Sequence, residues 1–399
     1  MIDPAAVKED RKKKGQSFEP LDLILSITEE VRRLSVGGSS FDPDAVTETI
    51  YEVISACHRQ YWIPLHDRRQ IVKRVRDALL GLDVLQPLVD DQEITDIMVN
   101  GADHIFYEKG GKIYASPLTF ESEESLQNLV QRIVGAINRT VNESNPIVDA
   151  RLSDGSRVNV VLPPVSLSGT VLTIRKFRKQ PIRMEDLIRW GTATQRTAAY
   201  LEQAVRDRKN LFVCGGTASG KTTLLNILSS YIDPAERVIT IEDSAELRLE
   251  GLPNVVTLET RNANMEGKGQ ITMRDLIKTS LRMNPDRIIV GEVRGAEALD
   301  MLSGLNTGHA GMSTGHANSC RDMLRRIETM VWMGADIPLE AIRQEIASAL
   351  DLLVFVEKDR DGKRRIKEIT KVGSYTNGDV ALTTLMKREG DREVWQQGS

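Results

Sequence analysis

Three cysteines in 399 residues leave little scope for covalent cross-links, and Cys57, Cys214 and Cys320 lie far apart without a CxxC pair. That excludes a tetracysteine zinc module and fits a reducing compartment. Aromatic residues are scarce at 5%, which counts against the stacking platforms used to grip single-stranded nucleic acid. No charge of one sign dominates. A formal net charge of −4 argues against a chain built to hold phosphate backbones in bulk, which needs a clustered positive surface. No apolar run approaches the ~20 residues of a membrane span. The opening residues, with Asp3, Lys8, Glu9 and Asp10, lack the apolar core of a signal peptide. The expected location is the cytoplasm, with any membrane link running through a partner or a surface patch. The basic run Arg11-Lys12-Lys13-Lys14 reads as a solvated tail.

What is present describes an ordinary globular chain, 40% hydrophobic and 28% charged. Its length exceeds what one core usually supports, so two or three domains are expected. Residues 1–82 read as a helical region. Leu21, Ile24, Ile27 and Val31 mark one apolar face, Val46, Ile50, Val53 and Ile54 another, and Asp42-Pro43 looks like a helix start. Residues 83–185 mix strands and helices in a smaller α/β domain. Asn100-Gly101 and Gly110-Gly111 are turn signals, Ser125 to Ile137 is an amphipathic helix, and Arg157–Val161 and Thr170–Ile174 look like strands. Residues 186–193 read as a hinge linker. From 194 to 399, short apolar strands alternate with helical stretches, which argues for an α/β domain with a largely parallel sheet. Its strand candidates are Leu211–Val213, Val238–Ile241, Val255–Leu258, Ile288–Val290 and Leu352–Val356, and Asp361-Gly362 marks a late hairpin.

The segment Gly215-Gly216-Thr217-Ala218-Ser219-Gly220-Lys221-Thr222 fits GxxxxGK[ST], directly after an apolar strand and before the helix-like Thr223–Leu228. Glycines allow successive N–H groups to turn inward as a nest for phosphate oxygens, and a helix N-terminus adds partial positive charge. Lys221 is expected to reach the β- and γ-phosphates, and the Thr222 hydroxyl to ligate Mg2+. The implied ligand is ATP with Mg2+.

Open α/β sheets bind ligands beyond the C-terminal ends of their strands. Two other strand candidates end in acids there: Val238–Ile241 runs into Glu242-Asp243, and Ile288–Val290 into Gly291-Glu292, with Arg294 two residues on. Phosphoryl transfer needs a metal, charge stabilisation and an oriented water, and a carboxylate suits the last task. Glu292 is favoured for the water, with Glu242 and Asp243 organising the metal; the reverse assignment stays open. His309 and His316 stand seven apart among Gly, Ser and Thr, without further ligands at zinc spacing. Both read as belonging to a phosphate-adjacent loop. Arg157, Arg175 and Lys176 lie upstream, either as ordinary surface charge or as positive charge supplied to the nucleotide from the preceding domain.

At these motifs the chain resembles the secretion-ATPase superfamily, and within it the CpaF-type tight-adherence pilus ATPases. Gly215–Thr223 resembles the family's Walker A, Ile239–Leu247 its Asp box, Leu281–Gly295 its Walker B region and Asn306–Asn318 its His box. Leu258–Gly269 is similar to a loop that typifies the subgroup. The resemblance implies a RecA-like P-loop ATPase domain preceded by a smaller, PAS-like α/β domain. It implies a homohexamer at the cytoplasmic face of the inner membrane that works against an integral-membrane platform protein. It gives Glu242 and Glu292 catalytic or metal-organising roles, His316 a phosphate contact, and Arg157 and Arg175 a cross-domain role at the nucleotide. Gly295 replaces the aspartate of many pilus motors, and the tetracysteine insertion of general secretory ATPases is absent. These departures point to the tight-adherence and conjugation-type branches. The nearest rivals are a conjugation-type type IV secretion ATPase or an archaeal-type filament motor. A DNA translocase and a scaffold that binds ATP without hydrolysing it are the rivals of other classes.

Overall fold

The computed structural model describes residues 20–35, 43–58, 65–137, 139–177, 182–261, 263, 268–359 and 361–396. The basic run at 11–14, Asp42 and Pro181 lie outside them, as do parts of the loop read over Leu258–Gly269. The chain divides into two compact units, Met1–Gln180 and Pro181–Ser399.

The first unit opens with α1 (Pro20–Ser35), α2 (Pro43–His58) and α3 (Leu65–Leu80). Their apolar stripes meet at Ile27, Val31, Ile50 and Val75, each 1% exposed or less. The short α4 (Gln86–Asp90) then leads to a six-stranded antiparallel sheet. Its strands are β1 (Ile94–Asn100), β2 (Ile105–Lys109), β3 (Lys112–Ala115), β4 (Ile147–Arg151), β5 (Arg157–Val161) and β6 (Val171–Arg175), in the order β3-β2-β1-β6-β5-β4. Gly110 and Gly111 both take positive φ in the β2–β3 turn, which only glycine adopts at no cost. Helix α5 (Glu123–Gly135), capped by the Ser122 hydroxyl on the Ser125 amide, buries Leu126, Leu129 and Val130 against the sheet. Arg132 of α5 donates to the carbonyls of Ala78, Leu79 and Gly81, satisfying the open end of α3. Strand β4 had no clear signal, because Ile147-Val148-Asp149-Ala150-Arg151 follows a loop rich in Asn and Ser.

The second unit begins before the expected boundary. Residues 186–193 are not an open linker: α6 (Met184–Arg189) forms there, and Met184, Leu187 and Ala193 enter the core of this unit. The charged composition misled because only one face of that helix is apolar. After α7 (Gln195–Arg206) come β7 (Leu211–Gly215), α8 (Lys221–Ser229), β8 (Val238–Glu242), β9 (Val255–Glu259), α9 (Met273–Ser280), β10 (Arg287–Val290), α10 (Glu297–Asn306), β11 (Ala310–His316), α11 (Cys320–Gly334), α12 (Leu339–Ala349) and β12 (Leu352–Lys358). An antiparallel extension follows in β13 (Arg364–Thr376), β14 (Asp379–Glu389) and β15 (Arg392–Trp395). The nine-stranded order is β15-β14-β13-β12-β7-β11-β10-β8-β9, with every pair from β12 to β9 parallel.

The central strand β11 contradicts the loop expected over 306–318. Glycines made it look irregular, yet packing explains them. A Cβ on Gly311 would stand 2.3 Å from Leu305 Cδ2, and one on Gly315 would stand 2.9 Å from both Met323 Cε and Phe212 Cε1. Helices press so closely on this strand that side chains are excluded at two positions.

Candidate functional site

The register of the parallel strands assembles the site. His316 pairs with Gly215, and Val290 pairs with both Ser313 and Ile241. The phosphate loop, the acids after β8 and β10, and His316 therefore reach one edge of the sheet. Strand β11 lies between β7 and β10, so His316 stands between the loop that carries Lys221 and the turn that carries Glu292.

The loop itself has the backbone expected of a phosphate nest. Ala218 and Gly220 take φ of +55° and +97°, and Gly220 caps α8. Gly215 is required by its neighbour: a Cβ there would lie 2.1 Å from the Val356 carbonyl oxygen. Gly216, Thr217 and Ala218 are exposed, while Thr222 and Thr223 are half-buried on the first turn of α8. The Ser219 hydroxyl is buried without a hydrogen-bond partner among the described residues. An unmet polar group of that kind costs about 1–3 kcal/mol, and a phosphate oxygen or a water would relieve it.

Lys221 is 7% exposed and folds back on the loop. Its Nζ donates to the carbonyls of Gly216 (2.8 Å) and Gly215 (3.2 Å) and lies 3.3 Å from His316 Nδ1. His316 Nε2 lies 2.9 Å from Glu292 Oε1. An ammonium only donates, so the imidazole nitrogen that faces Lys221 is the unprotonated one. The approach of Nε2 to Glu292 is an ion-pair distance, and Oε1 is buried without a hydrogen-bond partner among the described residues. Burial holds the His316 pKa below the ordinary histidine value, Lys221 adds to this, and Glu292 opposes it. Burial also lowers the Lys221 pKa, against the pull of Glu292.

Glu292 Oε2 accepts from Arg294 at 2.7 Å, and the same guanidinium lies 3.7 Å from Asp243. Burial would raise the Glu292 pKa. The Arg294 hydrogen bond and the charges of Arg294, His316 and Lys221 outweigh it and hold the carboxyl below the ordinary range.

Glu242, expected to organise the metal with Asp243, packs against Gly291, the residue before Glu292. Glu242 is 4% exposed and accepts backbone amides from Glu246 (3.0 Å) and Leu247 (3.2 Å to each oxygen). Gly291 makes room for it: a Cβ there would stand 2.7 Å from Glu242 Cγ. Its strand is three places from β7, about 14 Å at the usual strand spacing. Glu242 thus shapes the turn after β8, while Asp243 is joined to the site through Arg294. Among the described residues no three His, Cys, Asp or Glu side chains form a metal cage. The residues present fit Mg2+ of the kind that takes one or two protein oxygens and completes its shell with phosphates and water. Thr222, Asp243 and Glu292 are the protein oxygens at this edge.

His309 does not belong here. It precedes β11 at the opposite end of the strand, with Nδ1 3.1 Å from Thr307 Oγ1 and 3.2 Å from the Gly304 carbonyl. Seven strand residues span about 23 Å. In the first unit, Arg157 and Arg175 pair across β5 and β6, and Arg151 pairs with Arg157 across β4 and β5. These three arginines stand in one row, and sequence reasoning missed Arg151. It missed Arg364 as well, whose Nε donates to the Ala218 carbonyl at 3.0 Å.

A parallel sheet with a phosphate loop at its C-terminal edge, preceded by a separate α/β unit, defines a RecA-like ATPase with an N-terminal domain. Residues 79–381 match the family model described as type II/IV secretion system protein. The chain belongs to that family. It is similar to a putative conjugal transfer protein of Mycobacterium tuberculosis, 38% identical over 318 residues that cover 78% of this chain and 90% of the relative. It is 33% identical to the type IV secretion system protein VirB11 of Brucella suis over 331 residues, covering 75% and 91%. Among solved structures, the pilus retraction motor PilT with bound ADP shares the fold (TM-score 0.55, 21% identity, 73% of this chain and 83% of that one). Among the described residues no helix is long and apolar enough to cross a membrane.

Proposed function

We propose that the protein hydrolyses Mg-ATP and uses the cycle to drive a secretion or pilus machine. The observation that carries this reading is His316, held between the phosphate-loop lysine and Glu292. A terminal phosphate that draws Lys221 off the loop carbonyls also releases the His316–Glu292 contact, so binding and water activation are coupled through one imidazole. Glu292 orients the attacking water, and Lys221, His316 and Arg294 meet the charge that develops on the phosphoryl oxygens. Thr222 and Asp243 hold Mg2+ and its waters, and Glu242 acts indirectly, by fixing the turn that presents Asp243. The part proposed for Arg157 and Arg175, positive charge for the nucleotide, rests on the family resemblance alone.

In this reading the working form is a homohexamer, peripheral at the cytoplasmic face of the membrane and engaged with an integral-membrane platform protein. Relatives named for conjugal transfer and type IV secretion favour the conjugation-type branch over the tight-adherence branch, which rests on motif resemblance alone. The test is phosphate release by purified protein. Release that requires Mg2+ and is lost in Lys221→Ala supports the reading; nucleotide binding without release leaves a nucleotide-gated scaffold. Affinity capture from membranes addresses the partner. A multi-span protein supports the secretion role, and DNA-stimulated turnover without such a partner replaces it with a translocase.

A further inference from the structure

One flank of the phosphate loop is supported by a segment that the chemistry above does not use. Strand β12 runs parallel to β7 with Val356 opposite Gly215, so the chain leaves β12 at the same edge of the sheet as the loop. It turns and returns as β13. Asp359 builds that turn: its carboxylate accepts the amides of Lys363 (2.8 Å) and Asp361 (3.1 Å), its own amide donates to the Lys363 carbonyl, and its carbonyl accepts from Gly362. Arg365 lies 3.6 Å from the same carboxylate. Arg364 therefore departs from a fixed platform. Its Nε–H donates to the Ala218 carbonyl at 3.0 Å, and its Cδ lies 3.3 Å from where a Cβ on Gly220 would stand.

Ala218 is the residue at which such a bond matters. Its φ of +55° lies in the left-handed region that non-glycine residues enter at a cost and leave unless held. A trans peptide is planar, with C=O and N–H on opposite sides. Holding the Ala218 oxygen toward Arg364 turns the Ser219 N–H away from the hairpin, as a phosphate-facing donor requires.

We propose that Arg364 is a positioning residue for the nucleotide: it fixes the Ala218–Ser219 peptide in its phosphate-accepting orientation before the ligand arrives, and thereby sets affinity for a nucleoside triphosphate. This rests on the phosphate-loop reading above. The hold is geometric, since Nε–H bonds the carbonyl while the side chain covers Gly220. Lysine at this position keeps the charge and loses that geometry.

The test compares wild type, Arg364→Ala, Arg364→Lys and the control Lys363→Ala in the full-length protein, with thermal melting to establish folding. Hydrogen exchange of the peptide covering residues 215–223, measured without nucleotide, is expected to be faster in both Arg364 variants and unchanged in the control. Titration with a fluorescent ATP analogue and Mg2+ is expected to show about tenfold weaker binding in Arg364→Ala, the scale of a charge-assisted hydrogen bond, and the loss should fall on KM more than on kcat. Arg364→Lys should recover little of it. Wild-type exchange and wild-type affinity in Arg364→Ala would overturn the proposal. Full recovery by Arg364→Lys would also overturn it, because charge alone would then suffice. Failure of the wild type to bind nucleotide would overturn the affinity claim together with the phosphate-loop reading, and the exchange arm would still report whether Arg364 holds the peptide.

Discussion

The two ends of the nine-stranded sheet carry charge in opposite ways. Where β10 begins, Arg287 is fully buried, with Nε and Nη2 each 3.1 Å from an oxygen of Glu236 and Nη2 also donating to the Val205 carbonyl. Where the strands finish, Lys221, His316, Glu292, Arg294 and Asp243 form a chain of shared contacts, and all but Lys221 are partly open to solvent. The first arrangement is closed: every change of partner strands a charge in the core. The second is open, and a phosphate entering it exchanges one set of partners for another at little cost. Charge at one end holds the fold, and charge at the other is available to a ligand.

The largest effect that separates the ends is expected from Glu292→Gln. The amide keeps the size of the side chain and loses the carboxylate, so turnover should fall by about 10²–10⁴-fold, the usual worth of a positioned base, while nucleotide binding persists. Steady-state phosphate release alongside nucleotide titration measures both. Wild-type turnover would move water activation to another carboxylate.

Glu236→Ala sharpens the same contrast from the other side. Removal of one partner leaves Arg287 charged and buried, which typically costs about 3–5 kcal/mol. Denaturant melts should show that loss, while the protein that remains folded keeps its nucleotide affinity. A reduced affinity with unchanged stability would mean that the two ends are not separate in function.

The two histidines give the next smaller difference. They stand at opposite ends of β11, so His316→Gln is expected to lower turnover at least tenfold and His309→Gln by less than twofold. Equal losses would end the assignment of His316 as the coupler.

Legibility followed the range of the interaction. The placement of Lys221 and Thr222 on the first turn of α8, and of Glu292 just after β10, was readable because each sits in a short motif that follows an apolar strand. The helical faces of α1 and α2 were readable from apolar period. The link from Arg294 to Asp243 and that from Arg364 to Ala218, 146 residues apart, leave no local trace. Strand β11 was hidden for a different reason. Parallel core strands usually read as apolar runs, whereas Gly311 and Gly315 are there because Leu305, Met323 and Phe212 occupy the space of their side chains. Glu242 is a mixed case: its place in a motif suggested metal chemistry, and its backbone partners in the turn after β8 could not be read from the sequence.

Acidification should distinguish the ends most gently. Both His316 and Glu292 have folded pKa values below their ordinary ones. As pH falls, the unfolded chain therefore takes up protons before the folded chain does, and stability declines. For His316 the decline starts near its ordinary value of about 6.5, and for Glu292 near about 4.3; above those values each contribution is fully present. The melting temperature of the wild type should thus fall more steeply between about pH 6.5 and 5.5 than that of His316→Gln, with the two curves parallel above about pH 7.5. Turnover should hold to lower pH than the start of that decline, because folded His316 protonates only below its ordinary value, and a protonated Nδ1 then repels Lys221 instead of accepting from it. Parallel curves at every pH would mean that His316 titrates like a histidine in water. The contact between the phosphate loop and Glu292 would then have to run by another path.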